Sequence, residues 1–156
     1  MTSPVNCLRT VVTVRLSGLH LEDVRIARDS VGAILRNEPA DLATTATLLT
    51  SELATNALIH GDTANLRPGQ PPTLVAPRPF SVAVEVWISE IRVRVRGMGS
   101  RTAVIRPRRE RDWDETGRGL ALVEDLSHDW GTDGDHSYRQ VWFTLLRRPA
   151  AAVPAA

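Results

Sequence analysis

The stretch 48–61, LLTSELATNALIHG, constrains this chain most, because it carries three polar residues four positions apart. A helix turns about 100° per residue, so Glu52, Asn56 and His60 would share one stripe. An apolar stripe with the spacing of a core-facing helix runs beside it, formed by Leu42, Ala46, Leu49, Leu53 and Ala57. We therefore expect a helix over 41–59 whose polar stripe borders the core and lines a cleft. An ordinary amphipathic helix has the same spacing, so this pattern alone does not establish a site.

The polar stripe combines a carboxylate, an amide and an imidazole, which suit hard-cation and phosphate chemistry. A second stretch, TGRGLALV at 116–123, places two glycines just before an apolar helix. Backbone amides at such a helix start can bind an anion, although a glycine there is often only a turn. All 19 basic residues are arginine, which excludes a Schiff-base lysine and a Walker-type phosphate loop. A phosphate site must therefore use backbone amides, arginine or a metal.

Alternating apolar residues predict an antiparallel hairpin of strands 80–88 and 91–96, turning at Ser89–Glu90. Its polar positions Arg92, Arg94 and Arg96 would face solvent. The same kind of pattern predicts further strands over 10–16 and 140–146, helices over 21–35 and 121–126, and a turn over 130–135. Helices that do not alternate with strands indicate an α+β two-layer sandwich of helices on a mainly antiparallel sheet.

The length of 156 residues fits one domain, which we place at 1–147, followed by a disordered tail at 148–156. Prolines in 62–79 predict a loop. A net charge of +1 gives no reason to expect direct nucleic-acid or membrane binding. The chain has one cysteine, no signal-peptide pattern and no bilayer-length apolar run, so we expect a cytoplasmic protein.

The two stretches together, with the wording TSELATNALIHG and GRGLALVEDLSHDWG, resemble the histidine-kinase-like (GHKL) ATPase superfamily. The resemblance spans about 10–146 and is closest to the bacterial anti-sigma factor serine/threonine kinase branch. It implies a Bergerat-type ATP-binding fold with ATP and Mg²⁺ as cofactors. It further implies a transcription regulator that sequesters a sigma factor, phosphorylates an anti-sigma antagonist on serine or threonine, or does both.

The resemblance also implies roles for single residues. Asn56 would hold Mg²⁺ and contact the nucleotide, Glu52 would act as general base or orient the attacking hydroxyl, and His60 would lie near the nucleotide or serve in packing. Backbone amides for the phosphates would come from Gly117, Arg118, Gly119 and Leu120. The segment 98–116 would form a lid over ATP, and its arginines between 101 and 111 would neutralise phosphate or a partner, or simply be solvated.

One position departs from the family pattern. The hairpin of the family ends in an Asp-x-Gly-x-Gly-like box whose carboxylate accepts a hydrogen bond from the adenine amino group. In this chain Gly97 stands at the Asp position and Gly99 keeps the following glycine, so the resemblance implies that both lie at the nucleotide, whereas Arg101 replaces the next glycine. An unpaired adenine donor costs about 1–3 kcal/mol, roughly a fivefold to hundredfold loss of affinity.

Gly97 therefore leaves two further functions open beside an ATP-dependent kinase. One is a degenerate binding module of the same fold with weak or no ATP binding and no turnover. The other is a detached sensor-kinase ATPase module whose phosphoacceptor lies on another chain. The sequence does not name the partner protein, and a homodimer is open.

Overall fold

A computed structural model of the chain describes residues 6–59, 76–99 and 117–148, with backbone only at 117 and 118. His60, residues 61–75 of the predicted loop, the lid arginines within 100–116 and the predicted tail from 149 lie outside these residues. The described part forms three helices and one five-stranded sheet. Its elements are β1 (Leu8–Leu16), α1 (Glu22–Ile34), α2 (Ala40–Ile59), β2 (Phe80–Trp87), β3 (Glu90–Met98), α3 (Gly117–Leu126), β4 (Asp129–Gly134) and β5 (Tyr138–Leu146).

The sheet is antiparallel throughout, in the order β1-β2-β3-β5-β4. Helices cover one of its faces, which confirms the predicted α+β two-layer architecture. The core lies between the layers, where inward valines of β2 and β3 meet the apolar side of α2. The fully buried side chains include Leu49, Leu53, Leu58, Val82, Val84, Val93 and Phe143.

The start of α1 is fixed by a buried carboxylate. Asp23 Oδ2 accepts hydrogen bonds from the backbone N–H of Gly18 at 2.8 Å and from Ser17 Oγ at 3.0 Å. This joins the end of β1 to the first turn of α1, where negative charge also favours the helix dipole. The long helix α2 lies beside α1 and packs on the sheet, mainly against β3.

Two sequence predictions about this sheet are wrong. Residues 130–135, predicted as a turn, lie mostly in strand β4 because they pair with β5, as in Trp130 opposite Phe143. The β2–β3 turn falls at Ile88–Ser89, one residue earlier than predicted, because Val86 pairs with Ile91. Ile88, which the predicted alternation put on the same side as Val86, is consequently exposed.

Among the helices in the described ranges, we find none with the length and apolarity needed to cross a membrane.

Candidate functional site

The predicted polar stripe lies on α2 at the border of the core. Glu52 and Asn56 are both half-buried, one helical turn apart, beside the buried Leu53. They lie there because the apolar stripe of α2 turns toward the sheet, which leaves its flank facing α3. Two of the three predicted stripe residues are thus placed at a helix–helix contact.

The first turn of α3 sits directly on these two side chains. A Cβ atom built on Gly119 would lie 3.0 Å from Glu52 Oε2 and 3.4 Å from Asn56 Nδ2. Any larger residue at position 119 would have to displace one of them. The structure therefore brings together the two stretches that the sequence singled out, although more than fifty positions separate them.

A cavity of about 190 Å³ opens beside this contact. Asn56 and Leu120 line its helical side, and Gly97 lines it from the end of β3. Most of the remaining wall is apolar, formed by Leu53, Ala57, Val95, Met98 and Val141. A largely apolar cleft with a few polar groups at its ends has the character of a small-molecule site.

Arg139 is a lining residue that the sequence analysis missed. It pairs with Gly97 across β3 and β5, so it lies on the helix-facing side of the sheet although it is exposed. The inward residues of β5 are Val141, Phe143 and Leu145, and extending this alternation back by two positions reaches Arg139. A guanidinium only donates hydrogen bonds, so this end of the cavity suits an acceptor or an anion.

The two glycines of the β3 end are explained differently. A Cβ atom on Gly97 would lie 3.2 Å from the Ala57 Cβ, so Gly97 allows β3 to approach α2 closely. A Cβ atom on Gly99 would lie only 2.5 Å from the carbonyl oxygen of His136. Gly99 is therefore required for packing against the β4–β5 turn, and it is absent from the described lining of the cavity.

The backbone of Gly117 and Arg118 belongs to the first turn of α3, where helix amides lack intrahelical partners. The side chain of Arg118, and the whole of His60, lie outside what the structure describes. Of the nine predicted site residues, five therefore lie at this contact or line the cavity beside it, namely Glu52, Asn56, Gly97, Gly119 and Leu120.

The donor set near the cavity fits Mg²⁺ only in a particular way. Within the described ranges no group of three or more His, Cys, Asp or Glu side chains could hold a metal ion. Asn56 offers a single amide oxygen, which is an acceptable ligand for a hard cation. Mg²⁺ commonly keeps several waters and takes phosphate oxygens in addition to one or two protein ligands, so a nucleotide-bound Mg²⁺ fits this site.

A comparison of the chain with protein-family models gives no match, and neither does a search of curated proteins.

Proposed function

We propose that this protein is an ATP-binding regulatory protein of the histidine-kinase-like ATPase type, with a Bergerat-type fold. In this proposal it acts on a partner protein as an anti-sigma factor serine/threonine kinase, binding a sigma factor or phosphorylating an antagonist. ATP and Mg²⁺ are its cofactors. The proposal extends the sequence resemblance to a function.

One observation carries the proposal: the close contact of Gly119 with Glu52 and Asn56 beside a cavity of about 190 Å³. Phosphates would lie at the first turn of α3, where free amides and the helix dipole favour negative charge. The base would extend along the apolar wall toward Gly97. This arrangement needs glycine at position 119 and polar residues at 52 and 56, as the chain has.

Each side chain then has a limited task. Asn56 would hold the Mg²⁺ that neutralises the phosphates, which is the chemistry the ion supplies when bound. Glu52 lies next to the α3 start and is not among the described lining residues of the cavity. From there it would orient the attacking serine or threonine hydroxyl, or accept its proton.

A second candidate function is a binding module of the same fold without turnover. Gly97 offers no carboxylate to the adenine amino group, and the neighbouring polar side chain, Arg139, cannot accept a hydrogen bond. Both features weaken adenine recognition. In this second candidate function the protein still binds its partner protein but binds ATP weakly or not at all.

Calorimetric titration with Mg-ATP tests the proposal. We expect saturable binding that weakens about tenfold to hundredfold in Asn56→Ala, because a ligand to a charged ion is lost. The weakening should disappear when Mg²⁺ is withheld. Thr45→Ala is the matched control, since Thr45 lies at the other end of α2, where its half-buried side chain donates a hydrogen bond to the carbonyl of Asp41.

Equal affinity of wild type and Asn56→Ala with and without Mg²⁺ would remove Asn56 from its assigned task. Absence of any nucleotide binding by the wild type would reject the ATPase proposal and support the binding module.

A further inference from the structure

The face of the sheet that points away from the helices carries arginines in successive cross-strand rows. In the rows nearest the β2–β3 turn these charges are compensated. Glu85 is buried, lies opposite Arg92, and its carboxylate accepts hydrogen bonds from Arg94 and from Trp87 Nε1. Arg92 additionally contacts Glu90 and lies 5.5 Å over the Trp142 ring.

The row at the other end of the sheet is different. There Arg15 on β1, Ser81 on β2 and Arg96 on β3 lie side by side, and both arginines are exposed. Within the described ranges neither guanidinium forms an ion pair. Neighbouring strands are about 4.8 Å apart, so the two arginine backbones lie about 10 Å apart. Two arginine side chains at that spacing can converge on one anion above Ser81.

This row borders an open cleft of about 380 Å³, which we call the arginine cleft. Its described lining comprises Arg15, Leu16, Pro79, Phe80, Ser81, Arg96, Gly97, Met98, Ser137 and Tyr138, which include two cations and no carboxylate. The Arg96 guanidinium lies 4.0 Å over the ring of Tyr138 on β5, on the side of β3 away from Ser81, so an anion above Ser81 would draw it back from this ring. Asp135 is the acidic residue nearest in sequence to the lining residue Ser137. Its carboxylate accepts hydrogen bonds within its own turn, from Ser137 and Tyr138.

We propose that the arginine cleft binds a phosphoserine or phosphothreonine within an extended polypeptide segment. A phosphate ester carries close to two negative charges and three acceptor oxygens, which match two guanidiniums flanking a hydroxyl. The cleft crosses the ends of four strands, about 14 Å, which accommodates roughly four extended residues. A free anion would need only the Arg15–Ser81–Arg96 row and would leave most of the cleft empty.

The arginine cleft and the cavity of the candidate site adjoin each other at the same strand end. Gly97 and Met98 line both, whereas Arg15, Ser81 and Arg96 line only the cleft. The phosphopeptide site therefore does not depend on the proposed nucleotide function. It can be tested in the absence of ATP and Mg²⁺.

The test is fluorescence anisotropy with a labelled peptide of two alanines, phosphoserine and two alanines, against its unphosphorylated twin. At constant ionic strength and neutral pH we expect saturable binding of the phosphopeptide, at least about tenfold tighter than the twin. Arg15→Gln and Arg96→Gln should each weaken it about tenfold or more, since each removes a charged hydrogen-bond donor. The matched control is Arg92→Gln, which removes an arginine from a compensated row of the same face and should change affinity less than about twofold.

Three results would overturn the proposal. One is equal loss of binding in Arg92→Gln and Arg96→Gln, which indicates general attraction to the arginine face. Another is that inorganic phosphate displaces the labelled peptide at the same concentration at which unlabelled phosphopeptide displaces it. That result indicates a free-anion site. The third is tighter binding of a short oligothymidylate that also depends on Arg15 and Arg96, which assigns the cleft to nucleic acid. Circular dichroism of each variant checks that the fold is retained.

Discussion

Glycine at position 119 lies where the two stretches that the sequence singled out meet. Because glycine has no side chain, the first turn of α3 can lie close to Glu52 and Asn56. A Cβ atom added at position 119 would lie 3.0 Å from Glu52 Oε2 and 3.4 Å from Asn56 Nδ2. Both polar side chains are half-buried there, which is costly unless they meet polar or charged partners. A phosphate and its Mg²⁺ would be such partners.

Glu52→Gln tests the proposed task of the carboxylate. Glutamine keeps the size and an acceptor oxygen but cannot take up a proton, so we expect Mg-ATP binding to persist while phosphoryl transfer falls on the order of 100-fold. The readout is release of labelled phosphate from ATP, with water replacing the hydroxyl acceptor. Glu124→Gln, on the exposed side of α3, is the matched control. An unchanged rate in Glu52→Gln would exclude the general-base or orienting task.

What the sequence could predict at single positions depended on local spacing. The i, i+4 stripe of α2 and the glycines at the start of α3 were visible because helical periodicity is a local property. Arg139 was not predicted, because its position opposite Gly97 depends on the pairing of β3 with β5. Gly99 was predicted as a nucleotide contact, but its packing against His136 depends on a turn nearly forty residues later.

Among the strands, too, the local sequence pattern predicted some and missed others. β2 and β3 alternate regularly, and their hairpin was predicted from that pattern. β4 was predicted as a turn because Asp129–Gly134 combines two glycines and two aspartates, which are poor strand formers. It becomes an edge strand through its ladder with β5 and through Trp130, which packs against the core.

The β4–β5 turn holds a testable pH dependence. Asp135 Oδ1 accepts hydrogen bonds from Ser137 N at 2.7 Å, Ser137 Oγ at 2.6 Å and Tyr138 N. The hydrogen bond from the Ser137 side chain, with those from the backbone, lowers the pKa of Asp135 below its ordinary value of 3.8. A carboxyl group whose pKa is lower in the folded state stabilises the fold above its unfolded pKa. That contribution is lost as pH falls through the lowered folded value.

We therefore expect Asp135→Ala to lower the melting temperature at neutral pH, with a difference from wild type that shrinks as pH falls below 3.8. Asp125→Ala, at an exposed position of α3, is the control for general charge effects. Thermal unfolding followed by circular dichroism across this pH range gives the comparison. A difference in melting temperature between Asp135→Ala and wild type that stays constant over this pH range would show that the hydrogen bonds of the carboxylate are not responsible.

Arg147, the last residue of the predicted domain, links three distant parts of the chain through its guanidinium. Its guanidinium donates to both carboxylate oxygens of Glu38, at 2.8 and 2.9 Å, and to the carbonyls of Trp87 and Ile88. Both charged side chains are largely buried, with 18% and 12% of their surface exposed. This contact ties the end of β5 to the α1–α2 connection and to the β2–β3 turn.

Arg147→Ala should lower the free energy of unfolding by about 1–3 kcal/mol, because it leaves Glu38 and two carbonyls without a donor. The neighbouring Arg148 is exposed, so Arg148→Ala should change it by no more than about 0.5 kcal/mol. Urea unfolding of the two variants beside wild type makes the comparison. Equal stability of both variants would mean that this network contributes nothing net.

The most direct test of the proposed nucleotide site introduces, at position 97, the carboxylate that the family pattern has there. In Gly97→Asp we expect the affinity for Mg-ATP to rise about fivefold to hundredfold and that for Mg-GTP to stay or fall. The reason is that adenine presents an amino donor where guanine presents a carbonyl acceptor. Gly97→Ala is the control, because it brings the same 3.2 Å contact with Ala57 without the carboxylate.

Calorimetric titration of wild type and both variants with each nucleotide gives the result. A selective gain for ATP in Gly97→Asp, absent in Gly97→Ala, is the outcome that the proposed site predicts. Tight ATP binding by wild type that neither variant alters, or no nucleotide binding by any of the three proteins, would contradict it.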